Sequence, residues 1–179
     1  MSSSVTNRGK PDAMTISMLV DSLKSENDVT RHDARMALVL LEKAAVPFLV
    51  LALQDVDRRA RWEAAKALDE IGDSTAVPAL VNALNDEDSD VRWVAADSLI
   101  KQSDAALVPL LYALKHHADS VNLRDSARHV LHRLQMVTEL KPVLAGVIDA
   151  LDGVEPALSV PFTAQRALDE LTKSPGKPQ

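Results

Sequence analysis

The chain has 179 residues, with 20 Lys and Arg against 26 Asp and Glu, so its formal net charge is −6. This acidic balance weighs against a general nucleic-acid binder, which would usually be basic. The absence of cysteine excludes disulfide scaffolds, thiolate metal sites and cysteine nucleophiles. Hydrophobic residues make up 46% of the chain while aromatic residues make up 3%, and there are five glycines, a mix that indicates an all-helical protein.

The two ends of the chain are predicted to be disordered tails, at residues 1–13 and 175–179. The first of these is rich in small polar residues and has no apolar stretch, so it does not resemble a signal peptide. The longest apolar stretch, Ala44–Leu53, contains Pro47 and falls far short of the roughly 20 residues needed to span a bilayer. We therefore expect a cytoplasmic protein whose ordered part comprises residues 14–174.

A helical pattern recurs every 30 to 32 residues along the ordered part. Each copy has an alanine three residues, and a leucine seven residues, after an arginine. These offsets lie on one face of a helix, and the small alanine would let a neighbouring helix approach closely. The fourth member of the face, ten residues after the arginine, is apolar except for Gln102. The repeated arginines are Arg31, Arg61, Arg92 and Arg124.

A second helix is predicted to follow each of these first helices. It is marked by a proline at 47, 78, 109 and 142, which suits the first turn of a helix, where its missing N–H costs nothing. Acidic linkers at 54–57 and 85–88 join one unit to the next and can cap the following helix. A second helix without its partner is predicted at Ile16–Lys24, an irregular loop at Leu151–Ser159, and a first helix without its partner at Val160–Lys173.

Two segments, Arg61–Leu84 and Val91–Leu99, resemble HEAT repeats, and more narrowly the short type of roughly 30 residues that is named after phycobilisome lyases. The resemblance covers residues 16–173. It implies an all-α, right-handed α-solenoid (an alpha-alpha superhelix) of about four full helix pairs with a half repeat at each end. The first helices would lie on the convex side and the second helices would line the concave side.

The resemblance leaves function open, because proteins with such repeats are mostly protein-binding scaffolds but include some lyases, hydroxylases and DNA-repair enzymes. The first hypothesis is a non-catalytic adaptor that binds a protein or peptide and needs no cofactor. The alternative is a subunit of a phycobilin-lyase-like or chromophore-chaperone system, working as half of a heterodimer. A third is a HEAT-type nucleic-acid binder, which the net charge and the acidic linkers oppose.

The default binding site is the concave groove that stacked second helices form. Its predicted lining is amides that could bond a peptide backbone, small apolar residues and one tyrosine anchor: Leu51, Gln54, Asn82, Asn85, Tyr112 and His116. The rival site is an aromatic stripe on the convex side, formed by Trp62 and Trp93. Both tryptophans directly follow a repeated arginine, off the apolar face, so their rings are expected to be partly exposed.

The repeated arginines are predicted to be a structural ladder rather than an anion-binding row. A residue that occurs once per unit usually serves the stack, here by bonding carboxylates or carbonyls in the turns. His129 and His132 have a spacing that could hold a metal, but Arg128 and Arg133 flank them, which disfavours a bound cation. The His-Glu dipeptide that HEAT-type hydroxylases use for iron is also absent. We therefore predict no metal site and no catalytic residue.

Overall fold

A computed structural model describes residues 12–137 and 141–173. Residues 1–11 and 174–179, which include most of the two predicted tails and the last residue of the predicted ordered part, lie outside the described residues. Within the described ranges there is no strand, and short 3₁₀ turns occur at Glu42–Ala44 and Ser74–Ala76. The helices of these ranges are α1 (Ala13–Ser22), α2 (Asp28–Leu40), α3 (Val46–Ala52), α4 (Arg58–Ile71), α5 (Val77–Ala83), α6 (Ser89–Gln102), α7 (Asp104–His117), α8 (Val121–Val137), α9 (Lys141–Leu151) and α10 (Pro156–Lys173).

The first helices begin where a side chain in the preceding linker accepts hydrogen bonds from their free N–H groups. Asn27 caps α2, Asp57 caps α4 and Asp88 caps α6, with oxygen–nitrogen distances of 2.8 to 2.9 Å for the shortest bond of each. The acidic linkers at 54–57 and 85–88 therefore supply caps, as the sequence predicts. The same side chains fix where each unit ends and the next begins.

The helices form two layers, which makes the chain an all-α solenoid. Helices α2, α4, α6 and α8 pack side by side in the first layer, and α1, α3, α5 and α7 form the second. Between the layers lies a continuous apolar core. The alanine and leucine of every first helix are buried there, as the repeat pattern predicts: Ala34, Ala64, Ala95 and Ala127, with Leu38, Leu68, Leu99 and Leu131. No helix in the part of the chain that the structure describes is long and apolar enough to cross a membrane.

The third unit departs from the predicted pattern at its turn. Pro47 and Pro78 lie in the first turns of α3 and α5, but Pro109 lies inside α7, which already begins at Asp104. The expectation that a proline opens each second helix is therefore wrong for this unit. The physical reason is that Ser103 alone joins α6 to α7, whereas Gly72, Asp73 and a 3₁₀ turn separate α4 from α5.

The shorter turn also shifts the register of the third unit by one residue. The buried Leu80 of α5 and Leu84 directly after it correspond to Leu110 and Leu114 in α7, a spacing of 30 residues. The prolines of the same two helices are 31 residues apart. The pattern of burial therefore aligns Asn82 with Tyr112, whereas the proline spacing would align it with residue 113.

The end of the solenoid differs from the sequence expectation in two ways. The loop predicted at Leu151–Ser159 shrinks to residues 152–155, because Pro156 opens α10 at the first helical position, where proline is favoured. Helix α10 then packs against α7 and α9, while α9 packs against α8. The closing helix thus lies beside the second layer, with Ala164 and Ala167 buried at the close approach.

Candidate functional site

The four repeated arginines make the same hydrogen bond. In each copy Nη1 donates to the carbonyl oxygen of the residue six positions earlier, in the linker that follows a second helix. The donor–acceptor distance is 2.6 Å for Arg31 and 2.7 Å for Arg92. The four acceptors are the carbonyls of Ser25, Asp55, Asp86 and Ala118. The arginines thus donate hydrogen bonds to carbonyl groups beyond the helix ends, which have no intrahelical donor. A contact of this kind in every unit fits the predicted structural ladder.

Arg61 is the most deeply buried of the four. Its Nε and Nη2 lie 2.8 and 3.0 Å from the two carboxylate oxygens of Asp86, a bidentate pair in which both side chains are 8% exposed. Its Nη1 also donates to the carbonyls of Asp55 and Val56, at 3.0 and 3.2 Å. The hydrogen-bonded Asp86 carboxylate raises the pKa of Arg61. One guanidinium therefore ties the linker after α3 to the linker after α5.

The residues predicted to line the groove occupy an exposed face of the second layer. Leu51, Asn82 and Tyr112 hold equivalent positions in α3, α5 and α7, each exposed and each two residues beyond a buried leucine of its helix. We call these three the second-layer ladder. Its members change from aliphatic to amide to aromatic along the stack, and none carries a charge. They are suited to contacts with the apolar and backbone groups of a protein.

A shallow groove between α3 and α5 brings three predicted amides together. Gln54, Asn82 and Asn85 line it together with Val50, Ala79 and Asp86. Asn85 uses its Oδ1 to accept a hydrogen bond from the Ser120 hydroxyl. Leu51 is exposed beside this groove but does not line it. The other amide groups remain available to a peptide backbone.

The remaining two predicted residues meet on α7. The rings of Tyr112 and His116 lie 4.5 Å apart between centroids and are tilted by 48°, and the tyrosine is 58% exposed. Lys115 places its Nζ 5.8 Å from the tyrosine ring centre. The sequence interpretation did not include Lys115, although its spacing of three residues from Tyr112 puts both on one helical face. This end of the second layer is aromatic and cationic.

The rival tryptophans lie in two separate clefts between neighbouring first helices. Trp93 is 58% exposed and stacks on His129 of α8, with ring centroids 5.0 Å apart and planes at 29°. Trp62 is half-buried in a cleft whose walls are mostly charged: Arg31, Arg58, Arg59, Asp88 and Asp90. His129 was not part of the predicted stripe, because the residue facing Trp93 belongs to the next copy and only the packing of α6 on α8 shows it.

The carboxylates in the acidic linkers are held in their charged form. The hydrogen bond from the Arg59 side chain lowers the pKa of Asp57 to about 2, and the capped N–H of Arg59 adds to the effect. A hydrogen bond from the backbone N–H of Asp90 lowers the pKa of the Asp88 carboxyl in the same way. A hydrogen bond from the backbone N–H of Asp57 likewise lowers the pKa of the Asp55 carboxyl. These negative charges at helix N-termini stabilise the fold while they remain ionised.

The folded protein is therefore expected to lose stability in acid. Because the pKa of Asp57 is lower in the folded than in the unfolded chain, its contribution is present above about pH 4. It is lost as the pH falls toward about 2. Asp57→Asn keeps a capping side chain without a titrating group, so its urea midpoint should fall less than that of the wild type between pH 5 and pH 2. Identical pH profiles for the two proteins would contradict this assignment.

No group of three His, Asp or Glu side chains that could hold a metal occurs among residues 12–137 and 141–173. His129 stacks on Trp93, whereas His132 lies with its Nε2 3.6 Å from Asp152 Oδ2. We expect elemental analysis of the untagged protein to find no stoichiometric transition metal. About one zinc or iron per chain, lost on His129→Ala, would overturn both this expectation and the non-catalytic interpretation.

Comparison with known proteins identifies the architecture. A family model described as HEAT repeats matches residues 16–100 and again residues 46–132. Among solved structures, the chain is similar to a chain from the complex of CpcE and CpcF of phycocyanin lyase from Nostoc sp. PCC7120. The two are 25% identical, the similarity covers 88% of this chain and 99% of the other, and the TM-score is 0.56. A search of curated proteins gave no significant match.

Proposed function

The chain belongs to the HEAT-repeat family, and we propose that it is a non-catalytic cytoplasmic adaptor that binds a protein or peptide on the second-layer ladder. The single observation that carries the proposal is the exposure of Leu51, Asn82 and Tyr112 at equivalent positions on three successive second helices. A row of uncharged, exposed side chains that runs across the repeats gives a continuous contact surface.

The charges around the ladder support a protein interface rather than a phosphate site. The exposed positions of α3 and α5 are Pro47, Leu51, Pro78 and Asn82, and none of them is charged. The acidic linkers at 54–57 and 85–88 lie at one edge, and Lys115 with His116 lies at the end of α7. An uncharged centre with a charged rim is the usual composition of a protein–protein interface.

The tryptophan clefts supply a weaker case for a partner. Around Trp62 the arginines are already paired: Arg58 Nη1 lies 3.4 Å from Asp88 Oδ2, and Arg59 Nη2 lies 2.9 Å from Asp57 Oδ2. Trp93 already has one face covered by His129. A partner at Trp62 would have to displace these ion pairs, and a partner at Trp93 would meet a ring that has one face already covered.

Substitutions distinguish the two faces. A pull-down from the source organism with mass spectrometry would identify the partner, and titration would then give its affinity. Tyr112→Ala and Asn82→Ala should each weaken binding by about 1 kcal/mol or more, which is about fivefold in Kd, with an unchanged circular dichroism spectrum. Trp62→Ala and Trp93→Ala are the matched controls and should leave the Kd within about twofold. If the tryptophan variants lose binding and the ladder variants keep it, the stripe is the site.

A lyase-like or chromophore-chaperone subunit is the second candidate. It is supported by the similarity to a chain of the CpcE–CpcF complex, over most of both chains. In that case the partner would be a second repeat subunit, and the pair would act on a linear tetrapyrrole. A shift in the absorbance of a free linear tetrapyrrole on mixing with the protein, alone or with its partner, would favour this function over a simple adaptor.

A nucleic-acid binder is the third and least favoured candidate. The net charge of −6 and the acidic linkers at the edge of the groove oppose it. A gel shift that disappears with rising salt would support it, since phosphate contacts release counterions. We expect no such shift.

A further inference from the structure

We propose that the junction between α6 and α7, residues 98–109, is a hinge at which the solenoid opens locally and bends. Three features of different kinds fall within this stretch. They are unpaired polar atoms in the core, a strained backbone residue and a proline inside a helix. Together they make the closed junction less favourable than the junction between α4 and α5, and than that between α2 and α3, where Glu42 at φ 48° is one such feature.

The first feature is a pair of polar side chains on the buried face of α6. The hydroxyl of Ser98 and both amide atoms of Gln102 are buried and have no hydrogen-bond partner. The other copies have apolar residues at both positions, among them Ala67 with Ile71 in α4. A buried polar atom without a partner has lost its hydrogen bonds to water and has gained none within the protein. Opening of the junction readmits water and therefore costs less free energy here than at a junction with apolar residues.

The second feature is the backbone of Ser103. It has φ 45° and ψ −110°, a conformation that side-chain-bearing residues rarely adopt and that glycine tolerates. Ser103 alone joins two long helices, and its side chain makes no capping hydrogen bond to α7. The equivalent turn between α4 and α5 has Gly72 at φ 66°, followed by Asp73, whose side chain accepts a hydrogen bond from the N–H of Thr75 at 2.9 Å.

The third feature is Pro109, the sixth residue of α7. Proline has no N–H, so the carbonyl of Ala105, one turn earlier, lacks its helical donor. The first turn of α7 is thus the weakest part of that helix. Several destabilising features at one place in an otherwise regular repeat are typical of a segment that has to move.

The hinge divides the exposed face of the second layer. Leu51 and Asn82 lie on the part before the junction, and Tyr112 and His116 lie on the part after it. Bending at Ser103 therefore changes the separation of Asn82 from Tyr112, and a partner that contacts both would hold the hinge at one angle. This consequence rests on the proposed function. The hinge itself does not, because its test uses the protein without a partner.

Hydrogen exchange measured by mass spectrometry on the full chain tests the hinge. Peptides that cover 94–112 should exchange at least about tenfold faster than peptides that cover 64–82, the equivalent stretch of the second unit. The double variant Gln102→Leu with Ser103→Gly removes the buried amide and relieves the backbone. It should slow exchange at 94–112 by about tenfold and leave 64–82 unchanged. Val108→Ala, at an exposed position of α7, is the control and should change neither.

Equal exchange of the two stretches in the wild type would overturn the proposal. That result is expected if a trapped water satisfies Ser98 and Gln102 and keeps the junction rigid. Uniform slowing along the chain in the double variant would also overturn it, because that result signals global stabilisation. If the double variant does not fold, the wild-type comparison still decides.

The absence of cysteine allows a second test, in which spin labels at Lys43→Cys and Arg166→Cys span the junction. Their distance distribution should be broader than that of Lys43→Cys with Asp90→Cys, which lie on one side of it, and equal widths would contradict a hinge.

Discussion

Replacement of Arg61 by alanine should destabilise the protein by about 3–5 kcal/mol, the cost of removing one partner of a buried ion pair. The loss has two sources in the structure. The Asp86 carboxylate, 8% exposed, would remain buried without its bidentate partner, and the carbonyls of Asp55 and Val56 would lose their donor. Urea unfolding at neutral pH, followed by circular dichroism, measures the change.

A matched control comes from the same helix. Arg58 is 73% exposed and lies 3.4 Å from Asp88, so Arg58→Ala should cost about 0–1 kcal/mol, as for other surface ion pairs. Arg61→Lys should recover only part of the loss, because an ammonium cannot reproduce the forked contact with a carboxylate. Equal destabilisation by Arg61→Ala and Arg58→Ala would show that the ladder has no structural role.

Replacement of Ala95 by leucine should destabilise the protein by about 1–3 kcal/mol. Ala95 is completely buried in α6, which packs against α4 and α8 in the first layer, so the added atoms must push neighbouring helices apart. Ala105→Leu, at an exposed position near the start of α7, is the control and should stay within about 0.5 kcal/mol of the wild type. Unchanged urea melts for Ala95→Leu would mean that the assigned helix register is wrong.

The first layer could be predicted from the sequence because its signal is repeated. An alanine and a leucine at fixed offsets from an arginine recur in four copies, and agreement between the copies fixes the register of each helix. The same repetition predicted the exposed positions of α3 and α5, since Leu51 and Asn82 follow buried leucines at the same distance.

The departures from the repeat could not be predicted, because they depend on single residues. The sequence around Val108 and Pro109 matches the start of a second helix, yet α7 begins at Asp104, since Ser103 turns the chain without a glycine. The placing of α10 against α7 likewise depends on the short turn before Pro156, which periodicity does not encode.

The contacts of the candidate site were the least accessible to sequence reasoning. The stacking of His129 on Trp93 joins side chains of two different repeats, so it depends on the lateral alignment of α6 with α8. The Asn85–Ser120 hydrogen bond links residues 35 positions apart for the same reason. Patterns within one helix predict which side chains are exposed, and packing between helices decides which of them meet.

Site-specific photocrosslinking in cells of the source organism tests the central claim, that the second-layer ladder binds a protein partner. A photoreactive phenylalanine analogue would replace Leu51, Asn82 or Tyr112 in three variants, and Trp62 or Trp93 in two controls. The account predicts that one and the same protein is crosslinked from all three ladder positions and from neither tryptophan position. Crosslinking of that protein from the tryptophan positions alone, or no protein crosslinked from the ladder, would contradict it.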